Sequence, residues 1–192
     1  MTIEDVVALG QVIPVVVIDD ADEAVPLAEA LVAQGMPAIE VTLRTPAALP
    51  AIERIAEVPG AVVGAGTVTS PAQIRDVLAA GARFLVSPGT TPHLLDALED
   101  SRAPFLPGAA TPSEMLALLE RGIALAKFFP AEASGGVAAV KALAGPFPQL
   151  RLCPTGGIDE SKAGRYLELP NVACVGGSWM LGELRARAIV TG

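Results

Sequence analysis

Three lysines occur in the 192 residues, at positions 127, 141 and 162. Lys141 and Lys162 have small or polar neighbours and read as helix surface. Lys127 stands inside Ile123-Ala-Leu-Ala-Lys-Phe-Phe-Pro130, an otherwise apolar run. Burying a lone ammonium is costly, so a lysine in such a run points to a chemical task. Desolvation against Phe128 and Phe129 favours the neutral amine, the form that attacks a ketone. Glu40 is a second candidate, in Ala38-Ile-Glu-Val-Thr42. A carboxylate facing the amine could shuttle protons, an effect typically worth ~10²–10⁴ in rate. Arg44, just beyond, suits a substrate carboxylate, which a guanidinium grips with two parallel bonds.

Two glycine pairs, Gly156-Gly157 and Gly176-Gly177, each follow a strand-like run. Glycine lets the main chain approach an oxyanion closely, and Ser178 could add a hydroxyl. Tight turns are the plainer reading of either dipeptide alone. Together, and without a basic cluster beside them, the pairs favour a phosphate held mainly by amide dipoles. A structural ion pair is likewise the plainer reading of Glu40 or Lys127 taken singly.

The elements that must position these groups alternate along the chain. Strand candidates are 13–18, 38–43, 61–65, 83–87, 104–107, 124–129, 151–154 and 172–175. Helical stretches are 21–34, 46–55, 71–80, 92–99, 112–121, 137–144 and 160–167. Thr45-Pro46, Ser70-Pro71, Thr91-Pro92 and Thr111-Pro112 each put a hydroxyl at a helix cap and proline at the first helical position. Gly35, Gly81 and Gly122 sit where helices end. Eight such units without a linker predict one (β/α)₈ TIM-barrel domain over 1–192, with 3–9 as a short N-terminal helix over the barrel floor. An open, doubly wound sheet is the alternative.

Barrel active sites lie at the carboxyl ends of the strands. Those ends carry Glu40, Arg44, Thr67, Ser87, Lys127, Thr155 and the two glycine pairs. Strand alternation puts Glu40 on a face with Ala38 and Thr42, and Lys127 with Leu125 and Phe129. The second and sixth strands of an eight-membered ring are opposed, so both side chains would meet across the lumen.

Bulk properties exclude several classes. A net charge of −8 argues against a nucleic-acid partner, and no apolar stretch is long enough to span a membrane. The acidic start, Met1-Thr2-Ile3-Glu4-Asp5, lacks the basic region of a signal peptide, so a cytoplasmic protein is expected. Cys153 and Cys174 read as small buried hydrophobes, a disulfide or metal pair being the alternative. His93 reads as a solvent-facing residue at a helix start.

Six motifs occur in order: Glu40-Val-Thr-Leu-Arg-Thr45, Val63-Gly-Ala-Gly-Thr-Val68, Ser87-Pro-Gly89, Lys127-Phe-Phe-Pro-Ala-Glu132, Pro154-Thr-Gly-Gly157 and Gly176-Gly-Ser-Trp179. From about Gly10 to Met180 the chain resembles the 2-dehydro-3-deoxy-phosphogluconate aldolase and 4-hydroxy-2-oxoglutarate aldolase family. The resemblance implies a class I aldolase without metal or cofactor, acting on a phosphorylated keto acid. It implies Lys127 as the Schiff-base residue and Glu40 as the proton carrier. Arg44, Thr67 and Thr155 would hold the substrate carboxylate, and Gly156, Gly157, Gly177 and Ser178 the phosphate. Ser87, Pro88 and Phe129 would line the pocket. It further implies a homotrimer.

The sequence departs from that family after Met180. Its tail, 181–192, is short and partly apolar, leaving open a contact role for Ile189-Val190 and a larger assembly built through altered surfaces. The remaining alternatives are an aldolase preferring unphosphorylated 4-hydroxy-2-oxoglutarate, an assembly scaffold, and an isomerase using Glu40 and Lys127 without a covalent bond.

Overall fold

The computed structural model describes residues 1–185, so Ile189-Val190 lie outside the described residues. Every strand pairing is parallel, as repeated strand–helix units require. A sheet of six contains β1 (Val12–Val16), β2 (Ala38–Thr42), β3 (Val62–Gly66), β4 (Phe84–Val86), β5 (Phe105–Leu106) and β9 (Val175–Gly177). Their order is β5-β4-β3-β2-β1-β9. A sheet of three contains β6 (Gly108–Ala109), β7 (Leu125–Phe128) and β8 (Arg151–Pro154), with β7 in the middle.

The fifth expected strand, 104–107, is divided. Pro107 has no N–H to donate, so β5 ends before it and pairs with β4, while β6 begins after it and pairs with β7. The chain thus passes from one sheet to the other through one proline. The eighth strand starts later than 172–175, because Val172 makes only an isolated bridge with Leu152. Gly176 and Gly177, expected beyond the strand, are in its ladder opposite Ile13 and Pro14.

The helices are α1 (Ile3–Val7), α2 (Ala24–Ala33), α3 (Ala48–Ala56), α4 (Pro71–Ala79), α5 (Pro92–Asp100), α6 (Pro112–Glu120), α7 (Gly136–Leu143) and α8 (Glu160–Leu167). Three of the expected hydroxyl caps form: Ser70, Thr91 and Thr111 accept from the N–H of Gln73, Leu94 and Glu114. The fourth does not. Thr45 donates instead to the carbonyl of Ile18, and α3 starts from Ala47 without a side-chain cap.

Strand alternation sorts the buried side chains into layers. Ile39 and Val41 pack with α2 and α3 residues such as Leu31 and Ile52. Ala126 and Phe128 pack with Met115 and Tyr166. The opposite strand faces contribute Ile13, Ala38, Phe84, Leu106 and Leu125 to a separate cluster, which Val6 and Val7 of α1 join. The first helix therefore covers the strands' amino ends, as its position predicts.

At the start of α6, Thr111 and Glu114 form a reciprocal capping box. The Glu114 carboxylate is held below its ordinary range chiefly by the Ala110 N–H, then by the Thr111 N–H and hydroxyl. A depressed folded value contributes stability above the unfolded value and loses it as pH falls through the folded one. Glu114→Gln should therefore be less stable than the parent at neutral pH, with the gap closing in acid. Urea unfolding across a pH series measures it, and Thr111→Ala should cost about 1 kcal/mol.

Candidate active site

Glu40 lies on β2 and Lys127 on β7, both pointing to the face opposite their helix-packed neighbours. Lys127 is 4% exposed and Glu40 is 3% exposed. The Nζ donates to Oε1 at 2.9 Å and lies 3.3 Å from Oε2. The Phe129 ring centroid is 5.4 Å from the same nitrogen, near enough for cation–π attraction. A buried ammonium thus has one carboxylate and one aromatic face as company.

Neighbouring strands make the room. Gly66 lies in register with Thr42, and a Cβ there would fall 2.2 Å from Glu40 Oε1. Only glycine lets the carboxylate lie across β3 toward the lysine. Gly66 was missed as a site residue, although glycine within the strand run Val63-Gly-Ala-Gly66 is itself a sign of close approach.

Lys127 opens onto a cavity of about 160 Å³ at the carboxyl ends of the strands. Arg44, Phe129, Thr155, Gly156, Gly157, Gly177 and Ser178 line it, as their positions predict. Val15, Val17 and Ile158 line it too, and apolar side chains in β-rich runs give no sign of such a place. Larger cavities of about 360 and 400 Å³ open elsewhere, but no buried amine lines either.

The other predicted residues fall around this cavity. Arg44 is exposed, and its Nε donates to Thr67 Oγ1 at 3.3 Å. Thr67 is one of two non-glycine residues at positive φ among those described, at 61°, a conformation that costs energy and often marks a functional site. Thr155 is buried, its hydroxyl against Gly176, where a Cβ would come within 2.3 Å. Ser87 and Pro88 stand outside the cavity lining. The Ser87 hydroxyl accepts from the Gly108 N–H at 3.2 Å, and Pro88 packs on Gly108. They hold β6, beside Lys127, in place.

Gly156 and Gly157 have φ of 105° and 76°, open to glycine and strained for other residues. Among the described residues the N–H groups of Gly156, Gly157 and Ile158 have no protein acceptor. Three consecutive free donors beside a cavity can bind an oxyanion. Cys153 and Cys174 are free and buried, and the Cys174 thiol is pushed well up by its hydrogen bond with Cys153 and by burial, so it stays protonated. His93 is exposed in the first turn of α5. No helix is long and apolar enough to cross a membrane among the described residues.

Known proteins resemble this chain in sequence and fold. The model of the family described as KDPG and KHG aldolase matches residues 3–188. A 2-dehydro-3-deoxy-phosphogluconate aldolase of Pseudoalteromonas atlantica is 53% identical over 92% of this chain and 83% of its own. The KHG/KDPG aldolase of Escherichia coli is 50% identical over 93% of this chain and 84% of its own. A crystal structure of KDPG aldolase from Legionella pneumophila, with pyruvate captured at low pH as a covalent carbinolamine intermediate, superimposes with a TM-score of 0.93 at 47% identity. It covers all of this chain and 98% of its own.

The clearance at Gly66 makes one expectation direct. Gly66→Ala should drive the Glu40 carboxylate away from Lys127, and a crystal structure of the variant checks it. An unchanged 2.9 Å contact would mean that β3 yields instead.

Proposed function

The chain belongs to the KDPG and KHG aldolase family, and on that premise we propose how its residues divide the work. It is a class I aldolase that cleaves 2-dehydro-3-deoxy-6-phosphogluconate into pyruvate and glyceraldehyde 3-phosphate through a lysine Schiff base. Lys127 is the lysine. The observation that carries this assignment is the buried 2.9 Å contact between its Nζ and Glu40 at the cavity wall.

The cycle follows from that contact. Glu40 takes a proton from the ammonium, and the free amine adds to the C2 ketone. Glu40 returns that proton to the carbinolamine hydroxyl, which leaves as water and gives an iminium that draws electrons from the C3–C4 bond. Glu40, through a water, removes the proton of the C4 hydroxyl, and the bond breaks to release the aldehyde. The enamine left on Lys127 is protonated at C3 and hydrolysed to pyruvate. Arg44, steadied by Thr67, holds the keto-acid carboxylate together with Thr155. The N–H groups of Gly156, Gly157 and Ile158, with the Ser178 hydroxyl, hold the phosphate where Gly177 lines the cavity. Phe129 closes the pocket over the amine, and Ser87 and Pro88 act by supporting β6.

The two sheets are read as one closed (β/α)₈ barrel, a single domain over 1–192. The chain's passage through Pro107 and the parallel bridges Leu152–Val172 and Thr155–Gly176 support closure at both seams. The working form is read as a cytoplasmic homotrimer that uses no metal. Light scattering should give three times the chain mass, whereas a larger species would favour the scaffold reading. A second substrate, 4-hydroxy-2-oxoglutarate, is favoured by the name of the E. coli relative.

Borohydride reduction in the presence of pyruvate should fix a three-carbon adduct on Lys127. An adduct on Lys141 or Lys162, or none, would sink the mechanism and revive a non-covalent isomerase. Lys127→Ala should abolish turnover and trapping together. Glu40→Gln should lower kcat by about 10²–10⁴ yet still allow some trapped adduct.

A further inference from the structure

A half-buried hub behind the Gly156-Gly157 turn has no part in the cycle above. Glu132, five residues after Lys127, accepts a hydrogen bond from the hydroxyl of Tyr166, which is fully buried on α8. Its other carboxylate oxygen lies 3.3 Å from Lys162 Nζ. That ammonium also lies 3.3 Å from Asp159 and donates to the carbonyl of Gly157 at 2.9 Å. A Cβ on Gly157 would touch the Glu132 side chain at 2.9 Å, so the turn rests directly on the hub.

The main chain completes the arrangement. The Ala131 N–H donates to the carbonyl of Thr155 at 2.8 Å, and the Glu132 N–H to that of Gly156 at 3.1 Å. Three successive carbonyls are therefore pinned on one side, by Ala131, Glu132 and Lys162. In a planar trans peptide the carbonyl and the following N–H point in opposite directions. Pinning those carbonyls turns the N–H groups of Gly156, Gly157 and Ile158 the other way, where they have no acceptor among the described residues and where the cavity lies.

We infer that Glu132, Lys162 and Tyr166 are positioning residues that hold this turn with its three amides aimed at the substrate's phosphate, and so set the preference for phosphorylated over unphosphorylated keto acids. The inference rests on the reading of that turn as the phosphate site. Lys162 fixes the third carbonyl, Glu132 fixes Lys162, and Tyr166 fixes Glu132. None of the three lines the cavity. Their effect is on orientation, so it should appear in KM for the phosphorylated substrate and leave Schiff-base formation with pyruvate alone.

The test uses Lys162→Met, Lys162→Arg and Tyr166→Phe in the full chain, with 2-dehydro-3-deoxy-6-phosphogluconate and 4-hydroxy-2-oxoglutarate as substrates. Lys162→Met should raise KM for the phosphorylated substrate about fivefold, the equivalent of one ordinary hydrogen bond. It should change KM for the unphosphorylated substrate far less, with pyruvate trapping on Lys127 retained. Lys162→Arg, which can still donate to Gly157, should restore most of the difference. Tyr166→Phe should move KM in the same direction and carries the test if Lys162→Met does not fold. Amide resonances under titration with inorganic phosphate separate the two layers of the idea. If Gly156, Gly157 and Ile158 fail to shift in the parent protein, the phosphate site itself is wrong and the inference goes with it. If they shift there and equally in Lys162→Met, with the ratio of KM values unchanged, only the positioning role is overturned. Equal losses on both substrates would also overturn it.

Discussion

The contact between the Lys127 ammonium and the Glu40 carboxylate is the constraint that the surrounding structure meets. Two charges taken out of water are tolerated only when they satisfy each other, and removing one partner from such a pair typically costs 3–5 kcal/mol. Here the two come from β2 and β7, in different sheets and 87 positions apart in sequence. The pair therefore exists only when the strands between them are assembled. Gly66 clears the space, Phe129 covers the nitrogen, and β6 sits beside Lys127 in register at Gly108. A pair this close also suits amine catalysis, because a proton can cross one hydrogen bond without leaving the protein.

The proposed catalytic amine and the proposed anion-holding turn are joined by one short piece of chain. Lys127-Phe-Phe-Pro-Ala-Glu132 carries the amine at its start and, at its end, the amides of Ala131 and Glu132 that grip Thr155 and Gly156. A displacement of this segment moves both together, which would keep the distance between the two proposed sites constant. Such rigidity is what holds the reacting atoms of a substrate near attack geometry.

What was legible in the sequence depended on how locally each feature is decided. A lone lysine among apolar residues announced itself, and strand alternation then selected Glu40 as a partner on the correct face. The caps at Ser70, Thr91 and Thr111 were readable because hydroxyl and amide lie three residues apart. Thr45 shows the same pattern but meets the carbonyl of Ile18, a contact set by tertiary packing. The break at Pro107 needed only the missing N–H, yet the proline could equally have closed the strand. Gly176-Gly177 read as lying beyond the last strand because glycine weakens strand propensity; parallel pairing with β1 overrides that preference. The division of labour between Ser87 and the cavity, and the hub at Glu132, depend on side chains meeting across distant elements, which spacing along the chain does not encode.

The amino-terminal helix has a consequence for traffic. Val6 and Val7 join Phe84, Leu106 and Leu125 in one buried cluster at the strands' amino ends, away from the cavity that Lys127 opens onto. In the cycle proposed above, reactant and both products would share the doorway at the other end. Of the two fragments, the three-carbon keto acid would still be bonded to nitrogen when the aldehyde forms nearer the exit. Departure would then be ordered by plumbing: the aldehyde phosphate vacates first, and water follows it inward before the second fragment is set free.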